Sequence, residues 1–417
     1  MPGLRDTALA LFALACQAAD PARALTAALT TTPLPRPDPG GSFRIVAFGK
    51  AAVPMAACLI DRIADPAVAA LVVTNAENVR ALPGATVLVA GHPVPDENGA
   101  AAARQLEAFI GAATPADRVI ALVSGGGSAM LPAPVAGLTL ADKAALNRVL
   151  LEGGFDITEM NAVRQQVSRL KGGGLLRATL APVTAYILSD VIGDDLRVIA
   201  SGPTVAPIGT KVEARAMLQT RGVWDSIPQA VRDVLDRAPE HLPPLPEATN
   251  ILIGSNRKSL DAIAAEADDA TIVDDHLTGD VADAAARIVA AAKAAPVTRP
   301  ACLIFGGETT VTLRGTGLGG RNQELALRVA LLMAGATRPW VFLSGGTDGR
   351  DGPTDAAGGV VDGETIARMR AAGGDPEALL ANNDSHAALR LSGDLVVSGA
   401  TGTNVADVQI MMLGPST

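Results

Sequence analysis

Aromatic side chains are scarce in this chain, since only 2% of its 417 residues are Phe, Trp or Tyr. Proteins that bind single-stranded nucleic acid without sequence preference stack the bases on such side chains, so the composition argues against that function. Positive charge is also in deficit, with 34 Lys and Arg against 43 Asp and Glu and a net charge of −9. We therefore expect neither nucleic acid nor an anionic membrane as a partner, and an anionic ligand must be met by local cations.

Cysteines and long apolar runs are rare as well. Cys16, Cys58 and Cys302 are odd in number, far apart and in no metal-binding spacing, which suits a reducing compartment without structural disulfides or zinc. No run of 18 apolar residues occurs, so the sequence predicts no transmembrane helix. The apolar stretch at 7–15 has helical spacing and a single arginine before it, which favours an amphipathic first helix over a signal segment. We expect a cytoplasmic protein.

Familiar phosphate-binding signatures are missing, because the chain has neither G-x-x-x-x-G-K-[ST] nor a protein-kinase motif. Instead, a short apolar run ends in glycine plus a polar or charged residue four times, at 45–50, 119–128, 303–308 and 341–348. Such runs predict strands buried on both faces, and parallel sheets place ligands at the carboxyl ends of their strands. Glycine turns also let backbone N–H groups approach an anion. The candidate binding residues in these turns are Lys50, Ser124, Gly125, Gly126, Gly127, Ser128, Gly307, Glu308, Gly345, Gly346 and Thr347.

The alternation of apolar strands with Ala-rich helices predicts an α/β protein with parallel sheets in both halves. A proline-rich stretch at 239–249 breaks this alternation and predicts a linker between an N-terminal domain, 1–238, and a C-terminal domain, 250–417. A last strand at 408–413 could pair in either domain. The other strands are predicted near 44–48, 70–73, 86–90, 119–123, 184–188, 251–253, 270–273, 301–305, 341–343 and 395–397.

The segment 161–171 predicts a helix that places Arg164, Ser168 and Lys171 on one face, ended by three glycines at 172–174. Two cations and a hydroxyl on one stripe could clamp a phosphate or a carboxylate. The alternative is a solvated helix face on which Lys171 complements the helix dipole.

Acidic residues follow two of the predicted strands. Asp190 comes after the strand near 184–188, where a carboxylate can anchor Mg²⁺ or act as a base, while Asp194 and Asp195 are better explained as turn or cap residues. Asp348 lies in a hydroxyl- and carboxylate-rich loop and is a second candidate metal ligand. His92, flanked by a proline-rich turn, is interpreted as a residue that braces its loop.

The stretch 306–324 is rich in glycine and ends at a polar helix start. Its backbone donors and the side chain of Arg321 predict an anion site that includes Gly319 and Gly320. The alternative is a long loop whose glycines serve only geometry. The same stretch satisfies G-x-G-x-x-G through Gly315, Gly317 and Gly320, but the acidic residue that follows lies 28 positions beyond Gly320 rather than about 20, so the dinucleotide fingerprint is a weak match.

Five motifs occur along the chain in one order: V-S-G-G-G-S-A at 123–129, the segment 161–174, L-S-D-V at 188–191 with A-S-G-P-T at 200–204, G-L-G-G-R-N-Q-E at 317–324, and T-G-T-N at 401–404. Together they resemble the class II glycerate 2-kinases, two-domain proteins whose C-terminal half is called the MOFRL domain. The resemblance runs from about residue 5 to the C-terminus. It implies a Rossmann-like, doubly wound N-terminal domain, a smaller α/β MOFRL-type domain and an active site in the interdomain cleft.

The resemblance also implies ATP-dependent phosphorylation of D-glycerate on its 2-hydroxyl. In that family a lysine after the first strand and an arginine in the G-G-R-N-Q-E motif face the cleft, and here these are Lys50 and Arg321. They would supply cations to the phosphoryl group, with Mg²⁺ bridging the phosphates. Asn404 belongs to the T-G-T-N motif and is a further candidate binding residue. A homodimer is compatible with the sequence.

The remaining roles follow from the chemistry that this reaction needs. The glycerate carboxylate requires a cation, for which Arg164 and Lys171 are candidates. Asp190 could orient or deprotonate the 2-hydroxyl, and Asp348 could be the metal ligand or the competing base. Two other functions stay open: a hydroxypyruvate reductase that uses NAD(P)H, a label that some family members carry, and a non-catalytic protein that binds sugar acids.

Overall fold

The computed structural model describes residues 3–65, 68–238 and 243–415, which form two six-stranded sheets with helices between the strands. The strands are β1 (Phe43–Phe48), β2 (Ala69–Thr74), β3 (Ala85–Val89), β4 (Arg118–Val123), β5 (Val183–Leu188), β6 (Ala248–Gly254), β7 (Ala270–Asp280), β8 (Ala301–Thr310), β9 (Trp340–Gly346), β10 (Gly358–Asp362), β11 (Leu395–Val396) and β12 (Asp407–Leu413). The helices are α1 (Leu4–Ala18), α2 (Pro21–Thr31), α3 (Ala52–Ile63), α4 (Glu97–Gly111), α5 (Gly127–Met130), α6 (Leu140–Glu152), α7 (Ile157–Gln166), α8 (Gly174–Arg177), α9 (Lys211–Thr220), α10 (Gln229–Asp236), α11 (Asn256–Glu266), α12 (Val281–Ala294), α13 (Arg321–Leu332), α14 (Thr365–Ala371), α15 (Pro376–Ala381) and α16 (Ser385–Ser392).

The chain divides into two compact units, one around each sheet. The first-sheet unit comprises Ala24–Ser189 and Asp194–Ile253. The second-sheet unit comprises the described residues of Met1–Arg23, Asp190–Gly193 and Gly254–Thr417.

The first sheet has the strand order β3-β2-β1-β4-β5-β6, and the pairs from β3 to β5 are parallel. Its central strands are apolar along nearly their whole length and are buried, as expected for a parallel sheet covered on both faces. This order confirms the Rossmann-like, doubly wound N-terminal domain. The direction of winding reverses between β1 and β4, and in such folds ligands bind at the carboxyl ends of the strands at this reversal.

Gly49, the residue after β1, shows how closely the two central strand ends approach each other. Its φ is +118°, and a Cβ atom here would lie 2.3 Å from the Oγ of Ser124, the residue after β4. Only glycine satisfies both the backbone conformation and the lack of space. The turns after β1 and β4 therefore form one rigid floor, on which Lys50 and the 124–128 turn are fixed.

The second sheet is mixed, with the order β11-β10-β9-β12-β8-β7. Only β7 and β8 are paired in parallel, whereas β12 lies between β8 and β9 and is antiparallel to both. The prediction of a parallel sheet in the C-terminal half is therefore wrong. The reason is that the final strand, which the sequence left open to either domain, inserts into the middle of this sheet, and β10 adds a further antiparallel pair to β9.

Alternate residues of the second sheet face two separate apolar layers. On one side, Phe305 and Phe342 pack with residues of α12 and α13. On the other, Ile304 and Leu343 pack with α11 and with the apolar face of α1, which includes Leu11 and Phe12. Both faces are thus covered, and α1 is an amphipathic helix, as its spacing predicts.

The division into units differs from the predicted boundaries at three places, one of which is that Asp190–Gly193 belong with the second sheet. Residues 3–23 also belong with the second sheet, because the apolar face of α1 is buried there rather than in the N-terminal domain. The strand β6 joins the first sheet, so the last residues of the predicted linker at 239–249 are part of a strand. Residues 239–242 of that linker lie outside the described residues.

No single helix in the described ranges is long and apolar enough to cross a membrane. The pair α1 and α2 passes a test of length and apolar composition only when taken together, although the two helices are bent by 61° relative to each other.

The packing of α1 can be tested with Phe12→Ala. Phe12 is 3% exposed and its ring lies against Gly345 of β9, so removing it should lower the free energy of unfolding of the second-sheet unit by about 3–5 kcal/mol. Hydrogen exchange should become faster at the amides of β9 and β12 and stay unchanged in β1 and β4. The exposed Gln17→Ala on the same helix is the control. Faster exchange in the first sheet instead would show that α1 stabilises the other unit.

Candidate active site

The turn after β4, residues 124–128, carries backbone donors that no other described residue uses. The N–H groups of Gly125, Gly126 and Ser128 have no acceptor in the described part of the chain. The neighbouring groups are committed, since the N–H of Lys50 donates to the carbonyl of Gly125 at 2.9 Å and the N–H of Ala51 donates to Ser124 Oγ at 3.1 Å. Three free N–H groups in a glycine turn are suited to bind an anionic oxygen.

The side chains of Lys50 and His92 belong to the same region. A Cβ atom on Gly126 would lie 3.1 Å from His92 Nε2, so the imidazole lies directly beside the turn. Burial and then the charge of Lys50 lower the pKa of His92, while Glu77 opposes this shift. His92 is therefore a neutral imidazole near pH 7, in contact with the candidate site rather than simply a brace for its own loop.

A chain of hydrogen bonds lies beneath this turn. Ser201 Oγ donates to Asn161 Oδ1 at 2.7 Å, so Ser128 Oγ must donate its own proton to Ser201, at 2.9 Å. Lys171 Nζ then donates to Ser128 Oγ at 2.6 Å. The hydroxyl of the turn is thus held between a buried lysine and a second serine.

Arg164 and Lys171 are close in space, but the predicted helix that joins them is wrong. The helix α7 ends at Gln166, because Ser168 forms a β-bridge with Pro134 and the N–H of Arg169 donates to Ala133 at 2.9 Å. Arg164 lies on α7, whereas Lys171 follows in a turn. Both are buried more deeply than a solvated helix face allows, and burial is the first cause that lowers the pKa of each.

Arg321, the first residue of α13, is held by two carboxylates. Its Nε and Nη2 donate to the two oxygens of Asp407 at 2.6 and 2.9 Å, and its Nη1 lies 3.0 Å from Glu308 Oε1. Asp407 is fully buried, while the Arg321 side chain is 35% exposed. Burial opposes the charge of Arg321, but the hydrogen bonds and the charge of Asp407 outweigh it and raise the pKa of the guanidinium. Arg321 is thus permanently charged and fixed in one orientation.

Negative charge is concentrated around this arginine. Burial raises the pKa of Glu308, Arg321 opposes that shift, and Asp407, Asp190 and Asp348 raise it further. The predicted metal and base candidates, Asp190 and Asp348, therefore act on the same carboxylate. No group of three or more His, Cys, Asp or Glu in the described ranges is placed to hold one metal ion.

The glycine loop before α13 differs from the anion site that its sequence predicts. The N–H groups of Arg314, Gly315, Thr316, Gly317 and Leu318 donate to the segment 382–384, mostly to its side-chain oxygens. At the helix start, the N–H groups of residues 322 and 323 donate to the carboxylate of a buried aspartate, residue 351. Most donors of the loop are therefore used within the protein.

Of the backbone donors of that predicted anion site, three are left without a partner among the described residues. The N–H groups of Gly319, Gly320 and Arg321 have no acceptor in the described part of the chain. A Cβ atom on Gly320 would lie 2.3 Å from the carboxyl carbon of Asp351, so this glycine is required for close approach to the aspartate. Burial raises the pKa of Asp351 to about 6, against the hydrogen bonds that it accepts.

The other two glycine turns of the C-terminal half are parts of strands. Gly307 and Glu308 lie in β8, which runs on to Thr310, and Gly307 is paired with Asp407 of β12. Gly345 and Gly346 lie in β9, and both are paired with β12. Their backbone groups serve the sheet, so the prediction that these turns form an anion-binding floor is wrong for 306–308 and 345–346.

Thr347 and Asn404 brace the loop between β11 and β12. The hydroxyl of Thr347 donates to the carbonyl of Ala406 at 2.7 Å and accepts from the N–H of Val405. The side chain of Asn404 accepts from the N–H of Ala406 at 3.3 Å. The Thr347 hydroxyl, in the turn after β9, is therefore used within the protein, and so is the side-chain oxygen of Asn404.

Several residues near the 124–128 turn and around Arg321 were not predicted as site residues. Asp407 has a sequence signal, an acidic residue directly before the apolar run 408–413, which marks a buried and therefore paired carboxylate. Asn161 and Ser201 lie in the motifs at 161–174 and 200–204, but their contact with each other and with Ser128 joins distant segments and was not predicted. Lys143, whose Nζ donates to the carbonyl of Pro132, lies in none of the motifs. The predicted position of the site, in a cleft between the domains, stays a prediction.

Comparison with known proteins gives the chain its relatives. Residues 7–236 match a family described as a domain of unknown function (DUF4147), and residues 301–407 match the MOFRL family. The D-glycerate 2-kinase of Thermotoga maritima is 39% identical over 88% of this chain and 90% of its own. A protein of Agrobacterium vitis named a putative hydroxypyruvate reductase is 40% identical over 90% of this chain and 88% of its own.

A solved structure of the same fold is also known. The crystal structure of a glycerate kinase from Thermotoga maritima superposes with a TM-score of 0.89 at 37% identity, over 98% of this chain and 99% of that one. The order of motifs, the doubly wound first sheet and these matches agree. The chain belongs to the class II glycerate 2-kinase family, the DUF4147 and MOFRL proteins.

Proposed function

We propose that this protein transfers the γ-phosphoryl group of ATP to the 2-hydroxyl of D-glycerate, giving 2-phosphoglycerate and ADP. One observation carries the proposal beyond family membership: the turn 125–128 keeps three N–H groups without an acceptor at the reversal of a doubly wound sheet, with Lys50 beside it. That arrangement is suited to bind an oxyanion, and it lies where this class of fold binds ligands.

The charge on the transferring phosphoryl group is the main demand of the reaction, because its oxygens carry negative charge throughout. Lys50 and Arg321 are the proposed cations for these oxygens. Arg321 is suited to the role since Asp407 holds its guanidinium in one orientation and leaves about a third of the side chain exposed. A fixed cation costs no reorganisation when the transition state forms.

Mg²⁺ is part of the proposal as the partner of the ATP phosphates, and it would neutralise their charge. The acidic residues around Arg321 fit this ion in part: Asp190 and Asp348 offer the oxygen ligands that it prefers, but no three groups of the described chain share one ion. Mg²⁺ commonly binds through one or two carboxylates together with phosphate oxygens. Asp190 and Asp348 are the proposed carboxylates.

The 2-hydroxyl loses its proton as its oxygen forms the new bond to the γ-phosphorus and the bond to the bridging oxygen of ADP breaks. Asp190 is the proposed acceptor of that proton, with Asp348 as its competitor. The acid carboxylate is assigned to Arg164 and Lys171, with the serines of the 124–128 turn nearby. We further propose that the enzyme works in the cytosol, where its three free cysteines stay reduced.

The rival function, hydroxypyruvate reduction with NAD(P)H, would use the fingerprint at Gly315, Gly317 and Gly320. A dinucleotide fingerprint keeps its backbone N–H groups and the helix N-terminus free for the pyrophosphate. Here the N–H groups of Gly315 and Gly317 are bonded to the segment 382–384, and the first turn of α13 donates to Asp351. This favours the kinase.

One assay tests the proposed reaction against its rivals. The purified protein is incubated with D-glycerate, ATP and Mg²⁺, and the products are followed as ADP and, by NMR, as phosphoglycerate. We expect ADP and 2-phosphoglycerate in equal amounts and no NADH oxidation with hydroxypyruvate. No ADP above background would refute the kinase, and 3-phosphoglycerate as product would correct the position of transfer.

Lys50→Met should lower kcat by about 100-fold or more, because one of two cations for the phosphoryl oxygens is lost. The thermal unfolding temperature should stay within a few degrees of the original protein. Arg104→Met, an exposed charge change on α4 in the same unit, is the matched control and should keep full activity. Normal turnover in Lys50→Met would remove the lysine from the mechanism.

Asp407→Asn tests whether this residue positions Arg321. We expect kcat to fall by about 10-fold or more while Arg321→Met combined with Asp407→Asn is no slower than Arg321→Met alone, because both changes remove one function. The free energy of unfolding should fall by about 2–3 kcal/mol, less than for a fully buried pair since Arg321 is partly solvated. Glu377→Gln, which breaks an exposed pair with Arg370, is the control. Additive losses in kcat would show that Asp407 acts independently of Arg321.

A further inference from the structure

Three cations of the first-sheet unit lie together without an acidic partner. Lys143 Nζ donates to the carbonyls of Pro132 and Val167, Arg164 donates to the Asn147 side chain, and Lys171 donates to Ser128 Oγ. No ion pair found within the described ranges includes any of the three. Each lies close enough to at least one other for their charges to interact.

Such a cluster is costly for the folded protein alone. Lys171 is only 7% exposed, and an ammonium removed from water without a counter-charge is strongly destabilised. Like charges nearby add to that cost. A fold that keeps one buried and two half-buried cations together, all with neutral hydrogen-bond partners, has the electrostatics of a site whose counter-ion is a ligand.

The acids of the surrounding elements do not supply that counter-ion, because none of them forms an ion pair with the three cations in the described ranges and several are paired elsewhere. Glu107 on α4 pairs with Arg169 at 2.7 Å, and Glu159 on α7 pairs with Arg221. Asp142 at the start of α6 accepts from the N–H and hydroxyl of Thr139. Asp195 pairs with Arg197. Asp156 caps α7 by accepting from the N–H of residue 159.

The cluster also reaches the turn that the proposed function uses. Lys171 donates to Ser128 Oγ at 2.6 Å, and the N–H of Ser128 is one of the three free donors of the turn. Ser128 in turn is fixed by Ser201 and Asn161. A ligand oxygen at the turn would therefore meet backbone N–H groups, and the ammonium of Lys171 would lie behind the Ser128 hydroxyl to which it donates.

We propose that Lys143, together with Arg164 and Lys171, forms the binding site for the carboxylate of the acid substrate, and that this site takes up a proton when the carboxylate binds. Lys143 is the new member, and the proton uptake is a new property. The inference rests on the proposed function, because the carboxylate is that of D-glycerate.

A carboxylate fits the cluster better than a phosphate group does. The site is buried, and a singly charged carboxylate costs less to remove from water than a phosphate with nearly two charges. The phosphates of ATP also arrive with part of their charge already neutralised by Mg²⁺. The acid has no such partner and needs its counter-charge from the protein.

The proton uptake follows from the sign of the shifts. Burial and the neighbouring charges of Arg164 and Arg169 lower the pKa of Lys143 to about 7, and burial with Lys143 and Arg164 lowers that of Lys171 well below its usual range. A bound carboxylate stabilises the charged form and raises both pKa values. At pH 8 the free site is partly neutral, so the ligand draws in a proton from the buffer. The affinity for the acid should therefore fall as the pH rises through about 7.

The test is calorimetric titration of the full-length protein with D-glycerate at pH 8, in two buffers with different ionisation enthalpies. We expect net proton uptake by the original protein. Lys143→Met should weaken the binding of D-glycerate by at least about 30-fold and reduce the uptake, while the KM for ATP stays within about twofold. Arg148→Met, an exposed charge change on the same helix, is the matched control and should bind and take up protons like the original protein.

Lys171→Met serves as a second variant, with circular dichroism to establish that each variant is folded. The proposal is overturned if D-glycerate binds without proton uptake, or if folded Lys143→Met and Lys171→Met bind it as tightly as the control. Inorganic phosphate is used as a second probe to distinguish the two classes of ligand. If phosphate binds at this site more tightly than D-glycerate does, the assignment to the carboxylate is overturned. If the original protein phosphorylates no glycerate at all, the proposed function fails, whereas a variant that loses only D-glycerate binding supports the site.

Discussion

The close approach of the turns after β1 and β4 is the constraint on which the first-sheet unit depends. Gly49 and Ser124 leave no space for a Cβ atom between them, and the N–H of Lys50 is bonded to the carbonyl of Gly125. The two strand ends therefore form one unit, in which the lysine, the free N–H groups of the turn and the adjoining imidazole of His92 keep fixed positions. A ligand that binds there does not have to order the loop, so the affinity is not reduced by the entropy cost of that ordering.

The two units handle charge in opposite ways. The first-sheet unit holds three neighbouring cations, Lys143, Arg164 and Lys171, whose hydrogen-bond partners are neutral. In the second-sheet unit, by contrast, Arg321 is surrounded by carboxylates, two of which hold its guanidinium in one orientation. The first-sheet unit is thus suited to recognise an anion, whereas the second-sheet unit positions a single guanidinium. These local cations explain how a chain with a net charge of −9 can bind anionic substrates.

The sequence predicted the class of fold and the parts that follow from local pattern. Apolar runs identified the strands of the first sheet, of which β1 and β4 end in glycine turns, and motif order identified the family. What failed depends on distant partners. The helix through Lys171 ends early because Ser168 pairs with Pro134, and the glycine loop before α13 loses its free donors to the segment 382–384, which lies more than 60 residues later. Likewise, the sequence of β12 does not indicate that this strand pairs with β8 and β9 in the second sheet.

The position of α1 has a consequence for how the chain acquires its structure during synthesis. This helix is made before either sheet, yet its apolar face is covered by β9 and β12, which follow it in the chain by more than 300 residues. The first sheet can close while the helix still has no surface to cover it, because β1 to β6 are complete by residue 254. For most of translation the exposed leucine and phenylalanine side chains of α1 are thus open to chaperones and to self-association. Folding of the second half also requires contacts of very long sequence separation, which makes it the slower step.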